Sequence, residues 1–183
     1  MNGFSLQAVR DEDFEAMLAL RMEALRDSLE RLGRFDLQRG RERFRAGFAP
    51  EFMQHICRDG ERIGFLTLRP DGDCLRLDHL YLRPAQQGQR VGAWAISWIK
   101  DRARAAGQDV TLSALKLSDA NRFYRRHGFA QTGESEFDID YRWRVPRPGE
   151  DAQLAVVPVG IEPVWTGVAS EPAGDSALEA SRP

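Results

Sequence analysis

Long apolar runs are missing from this chain. No stretch reaches the ~20 residues that a membrane-spanning helix needs. Residues 1–10 (MNGFSLQAVR) lack the basic start and apolar middle of a secretory leader. Cysteine is scarce: Cys57 and Cys74 show neither a CxxC spacing nor a nearby His pair at ligand spacing. That argues against a disulfide framework, a metal site or redox chemistry, and fits reduced thiols in the cytoplasm. Lysine is nearly absent, with Lys100 and Lys116 the only two among 26 basic residues, a bias that base composition explains as well as function. The net charge of −2 leaves no overall basic excess for a nucleic-acid partner. What remains is a chain of 183 residues, 42% hydrophobic and 30% charged, long enough for one domain with a real core.

Phe4–Arg10 alternates with period two and reads as a first strand. Asp11-Glu12-Asp13 then offers a cap and an acidic first turn to a helix carrying Phe14, Met17, Leu18, Met22, Leu25 and Leu29, stopped at Gly33. Asp36 caps a second helix that ends at Gly47 and Pro50. This helix carries Arg39, Arg41, Arg43 and Arg45, read either as a solvated face or as one or two cations facing an acidic group on a substrate. Phe52–Arg58 and Arg62–Arg69 are strands joined by Asp59-Gly60, a hairpin signal because glycine accepts positive φ. His55 on the first of them reads as a half-buried packing residue. A second Asp-Gly turn at residues 71–72 leads into a strand over Cys74–Leu82.

That strand opens the most informative stretch, residues 75–99. Leu75 and Leu77, then Leu80 and Leu82 after a shift of phase, give way to Arg83-Pro84 and a polar turn with Gly88 and Gly92. A helix follows from about Arg90, with Trp94 and Trp98 on one face as core or cofactor-flanking bulk. Backbone N–H groups at such a helix start have no internal partners and sit at the positive end of the macrodipole, so they bind anions. A P-loop is excluded, because the Lys-Ser/Thr pair is missing. Val110–Leu115 is a further strand, Ser118-Asp119 caps a helix over 120–127, and 129–132 and 138–145 are the last strands. The helix between the fourth and fifth strands makes those two parallel, and parallel neighbours there splay into a cleft. The expected fold is α/β, with a mixed and mostly antiparallel sheet flanked by helices. Six of the nine prolines lie from Pro146 onward, so residues 1–145 are read as the domain and 146–183 as a disordered tail. Within that tail, residues 154–165 (LAVVPVGIEPVW) are unusually apolar.

Two motifs about 30 residues apart carry a resemblance. Gln87-Gly88-Gln89-Arg90-Val91-Gly92 is similar to the acyl-CoA turn of the GCN5-related N-acetyltransferase (GNAT) superfamily. Residues 118–129 (SDANRFYRRHGF) are similar to that family's helix with a tyrosine followed by Gly-Phe. The resemblance covers about residues 4–145. Two positions depart from it: Arg90 stands where the family has a central glycine, and Ser118 stands where many members have an asparagine. An Arg90 of helical φ would still present its N–H, and its charge suits a phosphate.

The resemblance implies acetyl-CoA as co-substrate and no metal. It implies that Leu80, Tyr81 and Leu82 pair with the pantetheine arm through their backbone, like an added strand. It implies that Gln87, Gly88, Gln89, Arg90, Val91 and Gly92 hold the diphosphate, with Ser118 and Asn121 as further polar contacts. Tyr124 would protonate the leaving thiolate. For the amine side, Asp78 is the residue of choice, as base or as anchor for the substrate ammonium; it could instead pair with Arg76 or Arg10. Alternation places it on the face of Leu80 and Leu82, with His79 opposite. Glu23 and Tyr141 are further candidates on the acceptor side.

The expected activity is acetyl transfer to the primary amine of a small molecule by direct attack in a ternary complex. Acetylation of a protein or peptide amine, or a CoA-binding regulatory module without turnover, are the alternatives. No nucleic acid or membrane partner is expected, the compartment expected is the cytoplasm, and a homodimer is left open.

Overall fold

A computed structural model describes residues 3–147. The expectation of a disordered tail, save for Pro146 and Arg147, lies outside the described residues. In chain order come β1 (Phe4–Ala8), α1 (Phe14–Arg31), α2 (Leu37–Ala46), β2 (Met53–Arg58), β3 (Glu61–Asp71), β4 (Cys74–Leu82), α3 (Val91–Ala106), β5 (Asp109–Leu115), α4 (Ala120–Arg126), β6 (Ala130–Glu134) and β7 (Asp138–Trp143).

Local chemistry accounts for most of these boundaries. The Asp36 side chain accepts from the Arg39 N–H at 3.0 Å and so caps α2. Asp59 and Gly60, at φ 50° and 86°, turn β2 into β3. Gly107, at φ 66°, ends α3 with its N–H on Arg104.

The seven strands form one sheet in the order β1-β2-β3-β4-β5-β7-β6. Every pairing is antiparallel except β4 with β5. The last hairpin inserts β7 beside β5 and leaves β6 at the edge, an order the sequence reading did not specify. One face of the sheet packs Leu77, Leu80, Leu82, Leu112 and Tyr141 against α3 and α4. The other packs Phe65, Tyr81 and Leu115 against α1 and α2.

Two irregularities shape the middle of the sheet. β4 and β5 pair only through Cys74, Leu75 and Arg76 with Asp109, Val110 and Thr111, then part. From Leu77 to Leu82 the β5-facing edge of β4 has no strand partner among the described residues. β4 also bulges: His79 pairs with Thr67 and Leu77 with Leu68, which leaves Asp78 opposite no residue of β3. So Leu77 and Leu80, three apart, share the α3-side core. Counting by twos from Leu80 therefore misplaces Asp78. It is turned instead to Arg69 and Arg76.

Candidate active site

The turn after β4 is held from outside itself. Gln87 donates from Nε2 to the Leu82 carbonyl at 3.3 Å. Arg58, at the far end of β2, donates to Gln86 Oε1 at 2.9 Å and also to Gln89 Oε1. Gln89 in turn donates from Nε2 to the Ala85 carbonyl at 2.7 Å. No motif in the sequence singles out Arg58, because its partners lie about 30 residues away.

Gly88 has φ 72°, and Arg90 has φ 63° and ψ 4°. Arg90 is thus left-handed rather than helical, which differs from the sequence expectation. The arginine adopts the conformation that a glycine takes freely. The first helical bond of α3 runs from Trp94 N–H to Arg90 O at 3.0 Å. The N–H groups of Gly88 through Ala93, Val91 and Gly92 included, have no acceptor among the described residues. They form a cluster of donors on the positive end of a 16-residue helix, which suits a diphosphate.

This donor cluster borders the unpaired edge of β4. Leu80, Tyr81 and Leu82 are fully buried through their side chains, so their backbone is what faces the gap. Tyr124 on α4 shares the core with Leu80 and Leu82. It is fully buried among Phe123, Phe129 and Tyr141, and its hydroxyl has no hydrogen-bond partner among the described residues. Burial, and after it the nearby Tyr81, pushes the Tyr124 phenol far above its usual range. The group therefore stays protonated at neutral pH and can act as a proton donor.

Ser118 and Asn121 are occupied with structure. Ser118 Oγ accepts from the Ala120 N–H at 3.2 Å. Asn121 Nδ2 donates to the Leu115 and Ser118 carbonyls at 2.8 and 2.9 Å, and its Oδ1 accepts from the Tyr141 hydroxyl at 3.0 Å. Asn121 thereby ties the end of β5 to α4 and β7 and fixes the base on which Tyr124 stands.

A polar network crosses the sheet at Asp78. Arg69 Nε lies 2.5 Å from Asp78 Oδ2, and Arg76 Nε lies 3.5 Å from Oδ1. Arg76 donates to Ser113 Oγ at 2.7 Å, and Ser113 donates to Asp140 Oδ1 at 2.6 Å. Asp78 Oδ1 is buried and accepts no hydrogen bond among the described residues. Sequence reasoning found Asp78 and Arg76 but missed Arg69, Ser113 and Asp140, which come from three other strands.

His79 is a different case. It is buried in a ring cluster with Phe44, Phe65 and Tyr81, with Nδ1 2.9 Å from Thr67 Oγ1. Burial first, then Arg21 and Arg69, pull its pKa down to about 3. It is too weak and too enclosed a base for an external amine. Glu23 is exposed on α1, and Tyr141 is tied to Asn121. Among the described residues no group of three or more His, Cys, Asp or Glu could hold a metal ion.

The α2 arginines divide into two stripes. Arg41 pairs with Glu15, and Arg45 lies 3.7 Å over the Phe14 ring. Arg39 and Arg43 stand on the other stripe, close enough to Arg34 to lower its pKa after desolvation has done so. Arg34 itself lies 3.9 Å over Phe137, between β6 and β7.

Residues 14–129 match the model of the acetyltransferase (GNAT) family. An aminoalkylphosphonate N-acetyltransferase of Salmonella typhimurium is 30% identical over 144 residues, 69% of this chain and 85% of that protein. The PaiA N-acetyltransferase of Thermoplasma acidophilum, solved with coenzyme A, superposes with a TM-score of 0.64 at 16% identity, covering 77% of this chain and 98% of that one. The ribosomal-protein-S18-alanine N-acetyltransferase of Escherichia coli superposes with a TM-score of 0.61 at 14% identity, over 82% and 99% of the two chains. These two likenesses bear on the fold alone. With the family match over residues 14–129 and the Salmonella relative together, this chain belongs to the GNAT acetyltransferase family.

Proposed function

We propose that this chain moves the acetyl group of acetyl-CoA to the primary amine of a small molecule, by direct attack within a ternary complex. The chain is an N-acetyltransferase by family, and acetyl-CoA is its co-substrate. The observation that carries the finer reading is the Tyr124 hydroxyl: fully buried, without a hydrogen-bond partner among the described residues, on a side chain that shares a core cluster with Leu80 and Leu82 of β4. A buried hydroxyl left unsatisfied costs about 1–3 kcal/mol. A thiolate arriving in the gap would supply the missing acceptor.

On this reading the diphosphate rests on the N–H groups from Gly88 to Gly92, and the pantetheine arm lies along Leu80–Leu82 in place of a strand. The carbonyl oxygen of the thioester takes a hydrogen bond from a β4 N–H at the open edge. Asp78 Oδ1 receives the substrate ammonium, which must shed a proton to solvent before it can attack. The amine lone pair then forms the C–N bond, and the C–S bond breaks. The departing sulfur takes the phenolic proton of Tyr124, which is regained from the proton released by the acetylated nitrogen.

The substrate class in the name of the Salmonella relative, aminoalkylphosphonates, makes such amines the first members of an acceptor panel, with amino acids and a peptide amine beside them. Release of free thiol is followed with acetyl-CoA and each amine. Tyr124→Phe should lower kcat by about 100-fold or more while CoA affinity holds. Unchanged turnover in that variant removes Tyr124 from the chemistry. Tight CoA binding with no thiol release for any amine would favour a module without turnover.

A further inference from the structure

The link between α1 and α2 meets the β6–β7 turn in an arginine-rich rim that the proposed transfer chemistry does not use. Contacts within the fold bring its parts together. Arg34, in the link, lies 3.9 Å over the Phe137 ring. The Phe137 carbonyl accepts from the Lys116 N–H at 2.6 Å. Arg31, at the end of α1, donates to the Leu117 carbonyl at 3.2 Å. Arg39 and Arg43, one turn apart on α2, form the stripe that approaches Arg34.

Arg34 is half-buried, whereas Arg39 and Arg43 are exposed. Burial first, then the charges of Arg43 and Arg39, pull the Arg34 pKa below its usual value, with Asp138 and Glu136 acting the other way. Guanidinium groups gathered in one place repel one another, and an added anion relieves that repulsion. Leu117, at the same rim, is held left-handed at φ 63° and is 67% exposed. Backbone strain of that kind clusters at ligand sites, and here it comes with apolar surface shown to solvent.

The rim opens onto the acceptor side of the sheet. Asp138 pairs with Leu115, and Asp140, two residues on, pairs with Ser113. Leu115 packs on the α1–α2 side, so Ser113, Asp138 and Asp140 face that side as well. Asp140 accepts from Ser113 Oγ, Ser113 Oγ accepts from Arg76, and Arg76 lies by Asp78. One polar strip thus joins the rim to the carboxylate proposed to receive the substrate ammonium. Two strand spacings across and two residues along put about 12 Å between the Asp78 and Asp138 backbones. The side chains at both ends shorten that span.

We propose that Arg34 and Arg39, with Arg43 one turn beyond, hold an oxyanion carried by the acceptor, so that the preferred substrate is an amine bearing a carboxylate or a phosphonate a few bonds from its nitrogen. The proposal rests on the small-amine reading above. Guanidinium forks grip either oxyanion with paired N–H donors. The carbon chain between the two charges lies against Leu117.

Two measurements on the full chain test it. In the first, propionate and ethylphosphonate, which carry no amine, are titrated calorimetrically into the CoA-bound protein. At least one should bind, and Arg39→Gln and Arg34→Gln should each weaken it by at least about tenfold. Arg41→Gln, on the opposite stripe and paired with Glu15, should leave it unchanged. Binding by neither anion overturns the proposal, as does binding that survives both substitutions or falls equally in Arg41→Gln. The tighter of the two probes names the oxyanion. In the second, β-alanine or aminoethylphosphonate should exceed ethylamine in kcat/KM by at least about tenfold, and Arg39→Gln should remove that preference through KM with kcat held. Ethylamine accepted as well as both charged amines overturns the proposal and leaves the transfer reading standing. No turnover with any amine, while an anion still binds through Arg34 and Arg39, strikes the transfer reading and keeps the anion site. Arg39 is exposed, and Arg39→Gln keeps the backbone N–H that Asp36 caps, so a folding defect in Arg34→Gln does not spoil the result.

Discussion

Arg90 sits in a conformation that costs an L-residue about 1–2 kcal/mol, and it does so at the turn where the donor N–H groups converge. Backbone strain of this kind persists only where the surroundings impose it. Here they do: Arg58 grips Gln86 and Gln89, and Gln87 is anchored on Leu82. The arginine keeps the glycine-like backbone and adds a cation beside the proposed diphosphate. Arg90→Gly should therefore raise unfolding stability by about 1 kcal/mol. The same change should weaken CoA binding at low salt and much less at high salt, because only a screened charge is lost. Denaturant unfolding and CoA titration at two ionic strengths check both halves. The identity of residue 90 was plain in the sequence, but its φ was not, since it belongs to a turn that Arg58 holds from another strand. Asp78 makes the same point. The leucine phase shift between Leu77 and Leu80 was visible, yet the direction of Asp78 required knowing that the bulge falls on that residue.

At the scale of elements, the sheet is built so that β4 can be both packed and open. Gly64 on β3 lies opposite Leu82, and a Cβ there would stand 2.4 Å from the Tyr81 carbonyl and 2.6 Å from Leu82 Cδ2. β3 thus approaches β4 more closely than any side chain permits. Gly64→Ala should push the end of β4 outward and destabilise the fold by about 1–3 kcal/mol. It should also weaken CoA binding by more than Arg90→Gly does at high salt, since it displaces the proposed pantetheine edge. Calorimetric titration against thermal unfolding separates the two effects. The elements themselves were largely legible. Asp-Gly turns, the Asp36 cap and the leucine alternation are local signals, and each element formed within about two residues of where they pointed. The pairing of β7 with β5, and the ion network from Arg69 to Asp140, are long-range, and no short window of sequence contains them.

For the whole molecule, one buried carboxylate ties the start of α1 to the sheet. Asp13 accepts from the Arg10 N–H at 2.9 Å and from Arg62 at 2.6 Å, and His55 Nε2 lies 3.1 Å away. His55, read from sequence as half-buried, is fully buried by this contact. Burial alone would raise the Asp13 pKa, but the hydrogen bonds from His55, Arg10 and Arg62 outweigh it and hold it at about 2, against an ordinary 3.8. A depressed pKa means that the unfolded chain binds the proton first. The stability from Asp13 is therefore complete above about pH 4, and it is lost as the pH falls through about 2. Asp13→Asn should unfold at lower denaturant than the parent at neutral pH, and the gap should close as the pH approaches 2. Denaturant midpoints taken across that range measure it. The three-pair junction of β4 and β5 bears on the molecule in another way. Beyond those three pairs the edge of β4 that faces β5 has no strand partner among the described residues. On the proposed reading the co-substrate is the missing strand, and whatever completes a fold also stabilises it: at a concentration of 100 times Kd, about 2.7 kcal/mol. The cell's supply of acetyl-CoA would then govern how long each molecule survives as well as how fast it turns over.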